Sequence, residues 1–303
     1  MSSRIPLRAC FAALAFVWVE GCVTFHEGHV EGAPADSRFI TVEGARLRVA
    51  VTGEGPAIIL IHGFASSLET WDLVRPFLSG FRVVTLDLAG FGYSDRKDGD
   101  YYSPRAEARL VRGVMEQLGI DSASIVAHSW GASIALALAL ESPERVERLA
   151  LYDAWVYAEQ LPSFFHWARL PGVGEALFGV FYDQLADERL TLGFYRPETV
   201  PEELVEKVLA SLERPGTFAA ALAAARGQRF DDLEARYREI GVPVLLLWGR
   251  EDRVSTVAVA ERLAQDLRGA RLIVYPRTGH FPMLEVPGAS TRDLVAFLGE
   301  GRP

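Results

Sequence analysis

Cysteine and lysine are scarce in this chain of 303 residues. The two cysteines, Cys10 and Cys22, both lie within the first 22 positions, which excludes an internal disulfide framework and a cysteine-ligated metal site in the rest of the chain. The two lysines, Lys97 and Lys207, stand far apart, and 31 basic against 40 acidic residues give a net charge of −9. Because the chain also lacks a run of basic residues, its composition argues against nucleic acid as a partner.

The N-terminus lacks an apolar run long enough to cross a membrane. Its run from Ala9 to Val19 follows Arg4 and Arg8, and it is too short because a membrane-spanning helix needs about 20 residues. Basic residues before a short apolar run predict a secretory signal. The tetrapeptide V-E-G-C that ends at Cys22 resembles a bacterial lipobox. This resemblance implies that residues 1–21 are a lipoprotein-type signal peptide and that Cys22 becomes a lipidated mature N-terminus.

The lipobox resemblance implies a location in the bacterial cell envelope. The protein would be held by lipid on Cys22, at the periplasmic or surface face of the outer membrane. Residues 22–37 contain glycine and proline without apolar periodicity, which predicts a flexible tether. Three alternatives stay open, namely an ordinary cleaved signal, an uncleaved anchor, and a misassigned start on a cytoplasmic enzyme.

From Arg38 onward, short apolar runs alternate with amphipathic or alanine-rich helical segments. Apolar strands separated by helices predict an α/β fold, with a largely parallel sheet covered by helices on both faces. The alternation breaks at residues 154–240, which we predict to be an inserted helical cap. The core is then predicted from residues 38–153 and 241–303.

The predicted cap is rich in aromatic residues, with ten of them in residues 154–195. Most are expected to fill the small core of the cap, and a minority to line a substrate pocket beneath it. The candidates for the pocket are Trp155, Phe164, Phe165 and Trp167, together with Phe281 from the core.

A candidate nucleophile, Ser129, lies in the sequence A-H-S-W-G between a short apolar strand and an alanine-rich helix. A serine in a sharp strand-to-helix turn projects its hydroxyl above the edge of the sheet, and this turn requires small residues two positions before and after the serine. Ala127 and Gly131 satisfy that requirement. The N-terminal dipole of the following helix favours negative charge at this point.

An acyl-transfer serine also needs backbone N–H groups that stabilise the oxyanion. The N–H of Trp130 follows the nucleophile directly, and the N–H of Phe64 lies in the turn H-G-F after a buried strand. We predict that these two groups form the oxyanion hole. His62 is expected to order this turn through hydrogen bonds.

Two further turns supply an acid and a base. Asp252 lies three residues after the glycine that ends an apolar strand, and His280 follows the last strand. An aspartate that accepts the Nδ1 proton of a histidine holds the ring in the tautomer that a general base requires. The chain order Ser129, Asp252, His280 predicts a catalytic triad.

The four turns together resemble the α/β-hydrolase superfamily over residues 38–298. The motifs are I-H-G-F, D-L-A-G-F-G-Y-S-D, S-W-G, W-G-R-E-D and G-H-F. The resemblance implies a mostly parallel, eight-stranded sheet with a helical cap inserted after the sixth strand. It also implies a triad of Ser129, Asp252 and His280, oxyanion donors at Phe64 and Trp130, and no metal or other cofactor. Serine at position 129 argues against the epoxide hydrolase and haloalkane dehalogenase branches, which use aspartate.

These features predict a serine esterase that acts on a small to medium, largely apolar substrate through an acyl-enzyme. Two alternatives stay open. One is a carbon–carbon bond hydrolase that uses the same triad on vinylogous diketones formed by ring cleavage. The other is a catalytically silent binding protein with the hydrolase fold.

Overall fold

A computed structural model describes residues 23–178, 192–200 and 202–301. In it, eight strands form a single sheet in the order β1-β2-β4-β3-β5-β6-β7-β8. β1 and β2 are antiparallel to each other, as are β2 and β4, and every other neighbouring pair is parallel. The predicted sheet is thus confirmed. The strands are β1 Arg38–Val42, β2 Ala45–Thr52, β3 Ala57–Ile61, β4 Arg82–Leu86, β5 Ala123–His128, β6 Val146–Tyr152, β7 Val244–Gly249 and β8 Arg271–Tyr275.

Helices cover both faces of the sheet, and two separate apolar clusters lie between them and the strands. Alternate residues of a strand enter opposite clusters, because side chains alternate across a sheet. In β3, for example, Ile59 and Ile61 enter the first cluster, whereas Ile58 and Leu60 enter the second. The helices of the core are α1 Pro104–Gln117, α2 Trp130–Glu141, α7 Val257–Asp266, α8 Pro282–Glu285 and α9 Pro287–Gly299.

The predicted cap is confirmed as helical segments between β6 and β7. The cap helices whose bounds lie within the described residues are α3 Ser163–Ala168, α4 Glu202–Leu212, α5 Thr217–Gly227 and α6 Asp231–Glu234. The cap aromatics Phe181 and Tyr182 lie outside the described residues, as do the predicted signal peptide and Cys22. None of the helices that the structure describes is long and apolar enough to cross a bilayer.

The described part of the predicted tether, residues 23–37, packs against the core. The ring of Phe25 stacks on Tyr102 with centroids 5.8 Å apart, and the His26 N–H donates to the carbonyl oxygen of Arg96 over 2.9 Å. Val30 is buried. The expectation of a flexible tether is therefore corrected for residues 23–37. Apolar side chains too widely spaced to show periodicity still find partners in the folded domain.

Glu107 is a carboxylate in an apolar setting. It lies on α1 with 1% of its surface exposed, and burial raises the pKa of its carboxyl well above the usual range. A raised pKa in the folded state means that the associated stability is present at low pH. That stability is lost as the pH rises from the unfolded-state pKa through the folded-state pKa.

A Glu107→Gln variant is therefore expected to gain stability over the wild type as the pH rises. Each unit of pKa difference corresponds to about 1.4 kcal/mol, so we expect a gain of at least about 1 kcal/mol at pH 8, larger than at pH 5.5. Urea unfolding at both pH values measures the difference. Glu116→Gln, on the exposed face of the same helix, is the matched control. A Glu107→Gln gain that is equal at both pH values would contradict the prediction.

Candidate active site

Ser129 lies in a strained turn between β5 and α2. Its backbone has φ 50° and ψ −118°, in the region that side chains other than glycine rarely adopt. Two backbone hydrogen bonds hold the turn. The backbone N–H of Ser129 donates to the carbonyl oxygen of Tyr152 over 2.9 Å, and the backbone N–H of Trp155 donates to the carbonyl oxygen of Ser129 over 3.1 Å. Ser129 is 8% exposed. Such strain persists where the surrounding structure enforces it, and it is typical of functional sites.

The turn tolerates only small neighbours, as the sequence predicts for Gly131. A Cβ at this position would lie 2.6 Å from the carbonyl oxygen of His62 and 2.7 Å from that of Ile61. A Cβ at Gly63 would similarly lie 3.2 Å from the Ser129 Cβ. The turn after β3 therefore lies directly against the turn after β5.

His62 orders the turn that carries Phe64. Its Nε2 accepts a hydrogen bond from the Leu88 N–H over 2.9 Å, so its Nδ1–H donates to the Gly63 oxygen over 2.7 Å. Burial lowers the pKa of His62 to about 4, which keeps the ring neutral. His62 thus joins the turns after β3 and β4. Phe64 lies in the turn after β3, and Trp130 directly follows Ser129. The role of their N–H groups as oxyanion donors stays a prediction.

Asp252 and His280 are brought together at the same edge of the sheet. The Nδ1–H of His280 donates to Oδ2 of Asp252 over 2.7 Å. The other oxygen of Asp252 accepts the N–H groups of Val254 and Ser255 at 2.7 and 3.0 Å. Both members of the pair are 5% exposed. This arrangement leaves Nε2 of His280 as the proton acceptor, which is the role that the sequence predicts for it.

Asp153 is a second carboxyl group beside this pair, and the sequence analysis treats it only as the last core residue before the cap. It follows β6 with φ 42°, is fully buried, and accepts the Gly249 N–H at Oδ1 over 2.9 Å. Side-chain ligand atoms of Asp153, Asp252 and His280 lie within 4.8 Å of one another. Burial and the negative charge of Asp252 raise the pKa of Asp153 well above its usual range. The surroundings of Asp153 therefore favour its neutral form.

His128 is the other residue that the sequence analysis leaves without a role. Its Nε2–H donates to the carbonyl oxygen of His280 over 2.8 Å, and the two rings lie 4.8 Å apart. Burial lowers the pKa of His128 well below its usual value. His128, which directly precedes Ser129, therefore holds the backbone of His280. Its position directly before Ser129 was the available signal.

Two of the five pocket candidates, Trp155 and Phe165, are buried, and Phe164 and Phe281 are half-buried. The ring of Phe165 contacts Phe64 and Phe164, with centroids 6.0 and 4.8 Å away. Phe281 lies 5.0 Å from the ring of His128 and 5.4 Å from that of His280. Trp155 is buried, and its indole N–H donates to Gln228 over 2.9 Å.

Trp167 is the exception among the pocket candidates. Its side chain is 61% exposed, so its assignment to the pocket is corrected. The helix α3 turns Phe165 inward and Trp167 outward, because residues two apart lie on opposite sides of a helix.

A cleft of about 660 Å³ opens beside the His280 turn, where Phe194, Leu284 and Glu285 form part of its wall. None of the five aromatic candidates belongs to this wall. Apart from Leu73 and Tyr195, the rest of the wall carries charges of both signs, from Glu69, Asp72, Arg196, Glu203, Lys207 and Arg277.

Comparisons with known proteins agree with this fold. The family described as alpha/beta hydrolase fold matches residues 56–287. A 2-hydroxy-6-oxononadienedioate/2-hydroxy-6-oxononatrienedioate hydrolase of Paraburkholderia phymatum is 31% identical over 287 residues, which covers 90% of this chain and 98% of the relative.

Two solved structures are similar along most of their length. A meta-cleavage product hydrolase of Pseudomonas fluorescens has a TM-score of 0.72 and 27% identity, over 88% of this chain and 98% of its own. A protein described as an N-acyl homoserine lactone degrading enzyme has a TM-score of 0.70 and 26% identity, over 86% of this chain and 100% of its own. These two proteins are named for different substrates, so they support a shared scaffold more than a shared substrate.

Proposed function

Because the chain belongs to the α/β-hydrolase fold family, we propose that it is a serine hydrolase that cleaves an ester-like bond. The observation that carries this proposal is the placement of Ser129 in its strained elbow, at the same sheet edge as the hydrogen-bonded pair Asp252–His280. A nucleophile, a base and an acid that orients the base are the groups that acyl transfer requires.

The proposed reaction has two steps. The Ser129 hydroxyl attacks the substrate carbonyl while Nε2 of His280 takes its proton, and the N–H groups of Phe64 and Trp130 stabilise the oxyanion. The histidine then gives the proton to the departing alcohol, which leaves an acyl-enzyme. A water molecule attacks the acyl group, passes a proton to His280, and releases the acid as the proton returns to Ser129.

The aromatic side chains near these groups support an apolar acyl part. Phe64 contacts Phe91 and Phe165, and Phe281 contacts the ring of His280. Aromatic rings bind apolar groups by removing a large area from water. The charged cleft beside the His280 turn is a separate feature, and this proposal assigns no substrate group to it.

A second candidate is a carbon–carbon bond hydrolase, and the relatives named as hydrolases of ring-cleavage products favour it. The same triad would act on a vinylogous diketone.

Purified protein assayed on p-nitrophenyl esters of increasing acyl length and on 2-hydroxy-6-oxo-6-phenylhexa-2,4-dienoate distinguishes the candidates. A kcat/KM at least about 100-fold higher for the esters supports the first and the reverse supports the second. A wild-type protein that neither hydrolyses these substrates nor reacts with a fluorophosphonate would instead be a binding protein.

We also propose that Cys22 anchors the enzyme to the membrane by lipid. In a Cys22→Ser variant, the protein is expected to move from the membrane fraction to the soluble fraction, and the mature mass should no longer include acyl chains. Cys10→Ser, within the apolar run of the signal, is the control and should change neither. Unchanged membrane association of Cys22→Ser would refute the anchor and leave the hydrolase proposal intact.

A further inference from the structure

One segment of the cap, residues 193–195, lies directly on the turn that carries His280. The backbone N–H of His280 donates to the carbonyl oxygen of Gly193 over 2.6 Å. On its other side, the His280 carbonyl oxygen accepts the Nε2–H of His128 over 2.8 Å. The core therefore holds one backbone group of the catalytic histidine, and the cap holds the other.

No side chain separates the two backbones at this contact. A Cβ added at Gly279 would overlap the carbonyl oxygen of Gly193 and would lie 2.7 Å from the Tyr195 nitrogen. A Cβ at Gly193 would lie 2.6 Å from the ring of Phe281. Glycine at both positions allows the close approach.

The contact continues through two stacked rings. Phe194 stacks on Phe281 with centroids 4.9 Å apart and planes at 25°. Phe281 in turn contacts the rings of His128 and His280. A movement of the cap segment would therefore disturb the residues next to the base.

Glu285 joins the two segments through both of its oxygens. Located at the end of α8, it accepts the Gly279 N–H at Oε1 over 2.8 Å and the Tyr195 N–H at Oε2 over 2.9 Å. Its side chain is partly buried. A carboxylate offers two acceptor oxygens and no donor, which matches two converging N–H groups.

We propose that Glu285 is a positioning residue that fixes the cap segment 193–195 to the His280 turn, so that docking of the cap and placement of the catalytic base are a single event. The inference deepens the proposed function and rests on it for the role of His280. Glu285 acts through Gly279 and Tyr195, so it is not itself a catalytic residue.

Glutamine at position 285 keeps the shape of the side chain but directs an NH₂ group at one of the two N–H donors. A displacement of about 1 Å in an active site can lower the rate about 100-fold. We expect Glu285→Gln to lower kcat about 10- to 100-fold, with KM within about threefold of the wild type.

Glu251→Gln is the matched control. The Glu251 carboxylate also accepts a backbone N–H of the His280 turn, from Thr278 over 3.0 Å, but that bond involves the core alone. Its kcat is expected to stay within about threefold of the wild type. A purely structural role for Glu285 would lower the melting temperature of Glu285→Gln and leave its kcat as close to that of the wild type as the kcat of Glu251→Gln, which would overturn the proposal.

A double-mutant cycle tests the coupling. Phe194→Ala removes the stacked ring from the same cap segment. If both residues hold one contact, the double variant Phe194→Ala/Glu285→Gln should lose much less kcat than the product of the two single losses. Losses that multiply in full would show independent roles and would contradict a single docking event.

Hydrogen exchange gives a readout that does not depend on turnover. In Glu285→Gln, the amides of residues 193–195 should exchange at least about tenfold faster than in the wild type, and in Glu251→Gln they should not. Unchanged exchange refutes the positioning role, even if the enzyme proves to be an active serine hydrolase. Faster exchange in a protein without any hydrolase activity supports the contact and refutes only the proposed function.

Discussion

A Ser129→Ala variant is expected to lose at least about 10⁴-fold in kcat on every substrate that the wild type cleaves, because no other group at the elbow replaces the attacking oxygen. The fold should survive the substitution. The wild-type residue already occupies φ 50°, and alanine at that position meets the same backbone strain as serine. Steady-state kinetics and covalent labelling by a fluorophosphonate measure the loss.

Ser124→Ala is the matched control for this variant. Ser124 lies on β5, five residues before Ser129, is fully buried, and its hydroxyl has no hydrogen-bond partner among the described residues. Its removal is expected to leave kcat and labelling unchanged. If Ser129→Ala keeps more than about 1% of the wild-type activity, Ser129 is not the nucleophile.

The second large effect is expected from Asp252→Asn, with a loss of kcat of about 10³- to 10⁴-fold. Asp252 accepts the Nδ1–H of His280, and an amide at that position favours the opposite tautomer of the histidine, in which Nε2 carries the proton. A ring protonated at Nε2 cannot accept the serine proton. The measurement is kcat near neutral pH, with circular dichroism to confirm that the variant is folded.

Asp153→Asn provides the comparison, since it changes the other aspartate beside His280. Burial and the charge of Asp252 raise the pKa of Asp153 well above its usual range, which favours the neutral carboxyl, and asparagine mimics that form in shape and charge. We expect kcat to stay within about tenfold of the wild type. A larger loss in Asp153→Asn than in Asp252→Asn would assign the orienting acid to Asp153.

These two aspartates also show which features of the site can be predicted from the sequence and which cannot. Asp153 and Asp252 each follow a buried strand, and both positions reach the same edge of a parallel sheet. The spacing in the turn W-G-R-E-D predicts that Asp252 is the acid. The hydrogen bond of Asp252 to His280 and the raised pKa of Asp153 depend on distances between β6, β7 and β8, and no local pattern encodes those distances.

In the cap, composition predicts the type of structure but not the orientation of individual side chains. Its helical character and aromatic content can be predicted from composition, and its place between β6 and β7 is confirmed. Composition does not predict which rings face inward. Phe165 and Trp167 have similar hydrophobicity, but their side chains are 3% and 61% exposed. Their exposure depends on how α3 is rotated against Phe64 and the rest of the core.

Local patterns along the chain were therefore sufficient to predict the sheet and the helical segments between β6 and β7, and to select Asp252 and His280, which are hydrogen-bonded in the structure. Strand periodicity and the turn residues Gly63, Gly131 and Gly279 act over a few neighbouring positions, so each turn can be recognised where it stands. Contacts between distant segments were not predictable. The hydrogen bonds of Glu285 to Gly279 and Tyr195, of His128 to His280, and the packing of residues 23–37 on the core all join positions whose proximity arises when the strands assemble into one sheet.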